Sequence, residues 1–320
     1  MLTDSVRVLS IEERIVDLRS RGLRVSDEDL AGKQLRRIGQ YRLKQYWHVF
    51  QDAEVEGRRP FKPGYSFDDV LNLYRVDREL RGLLVKPLEV IEINLRSAIA
   101  SYLQHRELTF AIYEDGFLMP FHDKPRINEV HSSVLKYKKS YSALQTFEER
   151  AYPEVMSMVG NQRDDFLRNQ VRYPIWLVVE AISFTDLSIL FEGLDVQLRK
   201  EIVKSFPGWD EYALKMFIKR LSVLRNSVAH HSRVWNKPLL WPGGLPRSFT
   251  SEFERLGRLR ASRVDTVFDA LTMLLDLMPK LDDEGSTWNH DVGQFVARQP
   301  AWILAEMGFP ENWKHYSLWQ

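Results

Sequence analysis

Apolar residues recur at helical spacing over two long stretches of this 320-residue chain, and almost no stretch alternates apolar and polar residues with a period of two. One stretch carries Leu80, Leu84, Leu88, Ile91, Leu95, Ile99 and Tyr102; the other carries Leu214, Phe217, Leu221, Leu224 and Val228. Residues three and four apart share one face of a helix, so each stretch can bury a stripe against neighbouring helices. Neither pattern suits a half-buried strand. The chain is therefore expected to be mainly α. It shows no internal repeat, no glycine-rich nucleotide loop and no HExxH helix.

Local punctuation divides the chain. Ser10 with Glu13 predicts a capping box for a helix starting near Ile11, which Gly22 should end. A second amphipathic stretch runs from Ser26 to about Phe50. Gly57, Pro60, Pro63 and Gly64 mark a loop, and Ser66 caps a long helix to about Arg106. Pro87 should kink or split that helix near Val85. Residues 107–172 are more polar and are broken by Gly116, Pro120, Pro125 and Pro153. Pro174 then opens the apolar run PIWLVVEAISF. Asp210 is the expected N-cap of the second long stretch. A loop rich in Pro and Gly follows Asn236, and a further helix is expected from about Val264 to Leu277, ending before Pro279. The tail carries Trp288, Trp302, Trp313 and Trp319, too apolar a set for a disordered segment. The expected organisation is an N-terminal helical extension (1–65), a helical bundle core (66–281) and a tail packed on that core (282–320).

Several function classes drop out. Without cysteine there is no disulfide, no thiolate metal site and no cysteine nucleophile. A formal net charge of +1 gives no global signal for nucleic acid, so an RNA-binding surface has to come from local charge. The first residues, MLTDSVRVLSIEER, lack an apolar signal core, and no window approaches the ~20 apolar residues that span a bilayer. A cytoplasmic protein with no membrane partner is expected. His122, His131 and the basic patch at 136–140 are read as surface.

Residues 221–236, LSVLRNSVAHHSRVWN, concentrate the polar chemistry. Read as one helix, Asn226, His230 and Arg233 lie opposite the apolar stripe, with Arg225 and His231 on its flanks and Trp235 on the stripe. Met216, Val223 and Val234 fall on the polar side too. The polar cluster must then face solvent, a partner or a substrate. Arg225-Asn226-Ser227-Val228-Ala229-His230 fits the R-N-x-x-x-H pattern of HEPN ribonucleases. The longer string RNSVAHHSRVWN resembles the signature of the Abi family of HEPN-like bacterial abortive-infection proteins. IGQYRLKQYWHVF, LEVIEINLRSAIA, PIWLVVEAISFTDLSILFEGL and AEMGFPENWKHYSLW resemble further motifs of that family, so the likeness touches both ends and the middle.

The resemblance implies a HEPN-like helical bundle near 66–281 and a metal-independent endoribonuclease of an antiphage or toxin–antitoxin system, with no cofactor. RNA supplies its own 2′-hydroxyl nucleophile, so cleavage needs a base, an acid and cations for the phosphorane. Arg225 is expected to hold the scissile phosphate, because a guanidinium offers a fixed fork of donors. His230 is the expected general acid or base, and Asn226 positions the two. His231, Arg233 and Glu180 are supporting candidates. Glu180, the one charge in its apolar run, either pairs with an arginine of the central segment or stays partly exposed. Candidate RNA contacts are Arg96, Arg36, Arg37, Arg42 and Lys44. The last four are interleaved with Tyr41, Tyr46 and Trp47, an arrangement that suits RNA, although rings in the core with a solvated charged face are the plainer account. For Glu92 and Arg96 the bland account is an i,i+4 salt bridge. One motif supplies one such histidine, and the resemblance implies a homodimer with a shared cleft. A cognate small RNA or antitoxin is the expected restraining partner. The alternative is a non-catalytic module that holds a structured RNA.

Overall fold

The computed structural model describes residues 9–55, 57–113, 117–118, 174–239 and 266–320. These hold eleven α-helices and short 3-10 turns, with only isolated β-bridges, so the chain is mainly α. The expected surface residues His122, His131 and 136–140 lie outside the described residues. The chain divides into two compact units, one ending at Gly82 and the other beginning at Leu83.

The first unit holds α1 (Ile11–Ser20), α2 (Glu28–Ile38), α3 (Gln40–Trp47) and the start of α4 (Phe67–His105). Ser10 Oγ accepts the Glu13 amide at 3.2 Å while Glu13 Oε2 accepts the Ser10 amide at 2.8 Å, the reciprocal cap expected from the sequence. Past α1 the Leu23 amide reaches the Leu18 carbonyl and the Gly22 amide the Arg19 carbonyl, with Gly22 at φ +95°. This is a Schellman closure, and glycine takes its left-handed position without a Cβ penalty. The amphipathic stretch after Ser26 is two helices rather than one, because Gly39 at φ +89° breaks it. Tyr46 and Trp47 are buried and Tyr41 is exposed, so two of the three rings interleaved with basic residues belong to the core. The Tyr46 hydroxyl donates to Asp77 Oδ2 at 2.6 Å and accepts from Arg81 Nη1 at 3.2 Å. Burial, then the adjacent Asp77 carboxylate, pushes this phenol well above the ordinary tyrosine range.

The second unit continues α4 and adds α5 (Ile175–Ala181), α6 (Phe184–Gly193), α7 (Val196–Ile202), α8 (Glu211–Ala229), α9 (Val267–Leu281), α10 (Gly285–Ala297) and α11 (Ala301–Glu306). α8 packs against α6 and α7, and α9 packs against α10. The stripe Leu214, Phe217, Leu221, Leu224 and Val228 is buried as its spacing requires. On α4, Leu84, Leu88, Ile91, Leu95 and Ile99 are buried in the same way.

Two prolines sit inside helices, against the expected split at the first and the expected stop before the second. α4 continues unbroken through Pro87, and α9 continues through Pro279 to Leu281. A proline lacks the amide that would bond the carbonyl four residues earlier, leaving an orphaned acceptor. The structure supplies a substitute donor in each case. Trp288 Nε1 donates to the Leu83 carbonyl at 2.7 Å, and Asn289 Nδ2 donates to the Leu275 carbonyl at 2.9 Å. Adjacent residues of α10 thus repair both helices. Other tail tryptophans lie against the same unit: Trp319 Nε1 donates to Thr272 Oγ1 at 2.9 Å, and Trp302 meets Trp235 edge-on at 6.2 Å.

Candidate functional site

The Asp210 side chain accepts the Ala213 amide at 2.9 Å and starts α8, as its position predicts. The helix ends at Ala229, not near Asn236. The Ser232 amide bonds the Ser227 carbonyl at 2.8 Å and the His231 amide bonds the Val228 carbonyl at 3.0 Å. This is the same closure seen after α1, with His231 at φ +54° where α1 uses Gly22. Histidine is among the few side chains enriched in left-handed backbone. The Ser227 hydroxyl fixes the exit further: it donates to the Val223 carbonyl at 2.9 Å and accepts from Lys237 Nζ at 2.9 Å.

The early ending corrects the angular placement of everything after Ala229. Trp235 is buried because the chain turns back, not because it extends the helical stripe, and Val234, on the expected polar side, is buried with it. Met216, on the expected polar side, is buried, and Val223 is exposed. His231 is exposed and Arg233 is half-buried. His230 is exposed at the C-cap, its amide on the Asn226 carbonyl at 3.0 Å. Asn226, also exposed, donates through Nδ2 to Thr185 Oγ1 of α6 at 3.2 Å.

Arg225 points elsewhere. It lines a cleft of ≈ 420 Å³ formed by α4, α5 and α8. Val85, Leu88, Ile93, Val228 and Ala229 make the apolar wall, and Glu89, Glu92, Arg96, Glu180 and Arg225 carry the charge. Three carboxylates face two guanidiniums, a formal excess of one negative charge. Glu92 bridges the two cations. Its Oε1 accepts from Arg96 Nη2, and its Oε2 lies 3.4 Å from Arg225 Nε. Arg96 Nη2 also donates to the Ile182 carbonyl at 3.0 Å. Arg96 is only 8% exposed, and its Nη1 is buried with no hydrogen-bond partner. The Arg225 side chain, 40% exposed, is open to solvent. Losing Glu92 altogether would leave the Arg96 charge buried and uncompensated, a change costing about 3–5 kcal/mol.

The structure thus brings Arg225, Arg96 and Glu180 to one cleft and leaves His230 off its lining. Of the two readings of Glu180 the structure bears out the exposed one, and the carboxylate on Arg225 is Glu92. The i,i+4 salt bridge of Glu92 with Arg96 does form. Spacing along α4 signalled that pair, but the link to Arg225 is tertiary and left no sequence trace. Arg36, Arg37 and Lys44 are exposed and Arg42 half-buried, all in the first unit. Among the described residues no group of three or more His, Asp or Glu is placed to hold a metal ion. No described helix is long and apolar enough to cross a membrane.

Comparison with curated proteins gave no match, and neither did comparison with solved structures. The family model described as Abi-like protein matches residues 33–236, well over half of the sequence and inclusive of α8 and the cleft; the chain belongs to the Abi-like protein family, a membership that suggests an abortive-infection function.

Proposed function

We propose that this chain is a HEPN-type endoribonuclease of an abortive-infection or toxin–antitoxin system. Arg225 holds the scissile phosphate and His230 transfers a proton to or from the reacting oxygens. The observation that carries this reading is the half-open Arg225 guanidinium at the mouth of a cleft, with an exposed imidazole at the end of the same helix. The 2′-hydroxyl of RNA attacks the adjacent phosphorus, a base takes its proton, and an acid protonates the departing 5′-oxygen. A guanidinium beside the phosphorane offsets the charge that develops there. Asn226, tied to Thr185, limits how the end of α8 can shift.

One imidazole serves one of the two proton transfers, so the reading includes a homodimer in which a second copy brings a second His230. Exposure of Asn226, His230 and His231 supports such a face. A cognate small RNA or protein antitoxin would restrain the activity. A second reading is a non-catalytic module that holds a structured RNA. It draws support from the placement of His230 off the cleft that Arg225 lines, and from the excess carboxylate there. Purified protein incubated with RNA separates the two. Fragments ending in 2′,3′-cyclic phosphate, lost in His230→Ala and Arg225→Ala, support the enzyme. Undiminished cleavage by those variants removes both residues from the mechanism, and RNA binding without cleavage favours the module.

A further inference from the structure

We propose that Glu92 is a built-in competitor for the phosphate: a carboxylate that occupies the cleft's two guanidiniums in the free protein and gives up Arg225 when an oxyanion arrives. The proposal rests on the reading of Arg225 as the phosphate ligand and adds what controls its availability.

The two ends of the Glu92 bridge are unequal. On one side Arg96 is nearly fully buried and held twice through Nη2, by Glu92 and by the Ile182 carbonyl. A carboxylate leaving that side would strand a buried charge. On the other side Arg225 is part-exposed and meets Glu92 through Nε alone, at 3.4 Å. That contact is long for a charge-assisted hydrogen bond and is screened by water. The Arg225 contact is the one an incoming anion can replace.

Arg96 itself has reason to hold its carboxylate. Arg96 Nη1 is buried without a partner, and a guanidinium N–H left unsatisfied in a desolvated place is costly. An oxyanion that displaces Glu92 from Arg225 would accept from the freed guanidinium, while Arg96 keeps the carboxylate. Carboxylate and phosphate oxygens suit the same planar fork, which is why Glu92 can stand in for the ligand. Glu89 and Glu180 carry further negative charge on the lining, so the cleft tolerates one phosphate group and repels a polyphosphate. The matching ligand is a single tetrahedral oxyanion, such as one phosphodiester of a chain.

Titration with inorganic phosphate tests this without any turnover. Binding is read by calorimetry for wild type, Glu92→Gln, Arg225→Gln and Glu180→Gln, and folding of each is checked by thermal denaturation. Glutamine keeps a carbonyl oxygen for Arg96 Nη2. Removing a unit charge from within a few ångströms of the anion should tighten phosphate binding by about tenfold or more in Glu92→Gln. Glu180→Gln removes the same charge from the same cleft without freeing Arg225 and should tighten it less. Arg225→Gln should lose it. Should Glu92→Gln fail to fold, wild type labelled with ¹⁵N-arginine decides: the Arg225 Nε–H resonance should move on adding phosphate while the Arg96 Nε–H moves less. Equal gains in Glu92→Gln and Glu180→Gln, no gain in Glu92→Gln, or an Arg225 resonance unmoved by phosphate would overturn the proposal. Failure of the ribonuclease reading would show separately, as absent RNA cleavage in protein that still binds phosphate in this order.

Discussion

The indole nitrogen of Trp288 donates a 2.7 Å hydrogen bond to the carbonyl of Leu83, the acceptor that Pro87 leaves without its helical donor. A tryptophan from α10 thus lets a proline sit inside a long helix without leaving this part-buried carbonyl unpaired. Trp288→Phe keeps the ring packing but leaves that acceptor bare, at a cost of about 1–3 kcal/mol. In a Pro87→Ala background residue 87 regains its amide, so the same Trp288→Phe change should cost less. Denaturant unfolding of the four proteins measures the coupling; additive costs would show that the indole acts only through packing.

Helix α8 is closed by a histidine where its counterpart after α1 uses glycine. A non-glycine residue in left-handed backbone carries a penalty of about 1–2 kcal/mol. His231→Gly should therefore hold or raise the thermal midpoint, and His231→Val, β-branched at φ +54°, should lower it. RNA cleavage by His231→Gly adds a second reading. Retained cleavage makes His231 a closure residue, and lost cleavage at undiminished stability gives its imidazole a chemical role.

Tyr46 couples the first unit to alkaline pH. Its phenol is held protonated by burial and by the Asp77 carboxylate, so its folded value lies above the ordinary 10.0. A raised value means that the native state binds the proton more tightly than the unfolded chain does. The stabilisation is complete below the unfolded value and fades as pH climbs past it toward the folded one. Wild type should lose stability as pH rises above about 10, and Tyr46→Phe should lose less over that window. At neutral pH Tyr46→Phe should be the weaker protein by about 1.5–3 kcal/mol, because the buried Asp77 carboxylate gives up a 2.6 Å hydrogen bond. Melting curves across pH for both proteins check both statements.

What could be read from the sequence was what acts locally. Ser10 with Glu13, Ser66, Asp210 and the stripe from Leu214 to Val228 each depend on residues within a few turns, and each took its expected place. The expected split at Pro87 and stop before Pro279 did not occur because the remedy is tertiary: nothing near either proline announces Trp288 or Asn289. The ending of α8 misled because a Schellman closure is normally signalled by glycine, and His231 carries no such signal. Arg225 and Arg96 were separate candidates in sequence. Only the fold shows one carboxylate between them, and it is Glu92, not the Glu180 that its apolar surroundings had made conspicuous.

Arg225 lines the cleft while His230, five residues further on at the helix C-cap, does not. Within one copy the two groups of the motif are thus presented to different surroundings, and the proposed composite site resolves this by joining the guanidinium of one copy to the imidazole of another. Complementation tests the arrangement. Arg225→Ala protein retains its histidine, and His230→Ala protein retains its arginine. Each alone should leave RNA intact. Mixed after gentle dissociation and reassociation, they form hybrids in which one copy supplies Arg225 and the other the one remaining His230, and part of the wild-type cleavage to cyclic-phosphate ends should return, slowed by the missing second imidazole. If every mixture that reassociates stays as inactive as the single variants, the Arg225 of one copy does not work with the His230 of another, and the composite site fails.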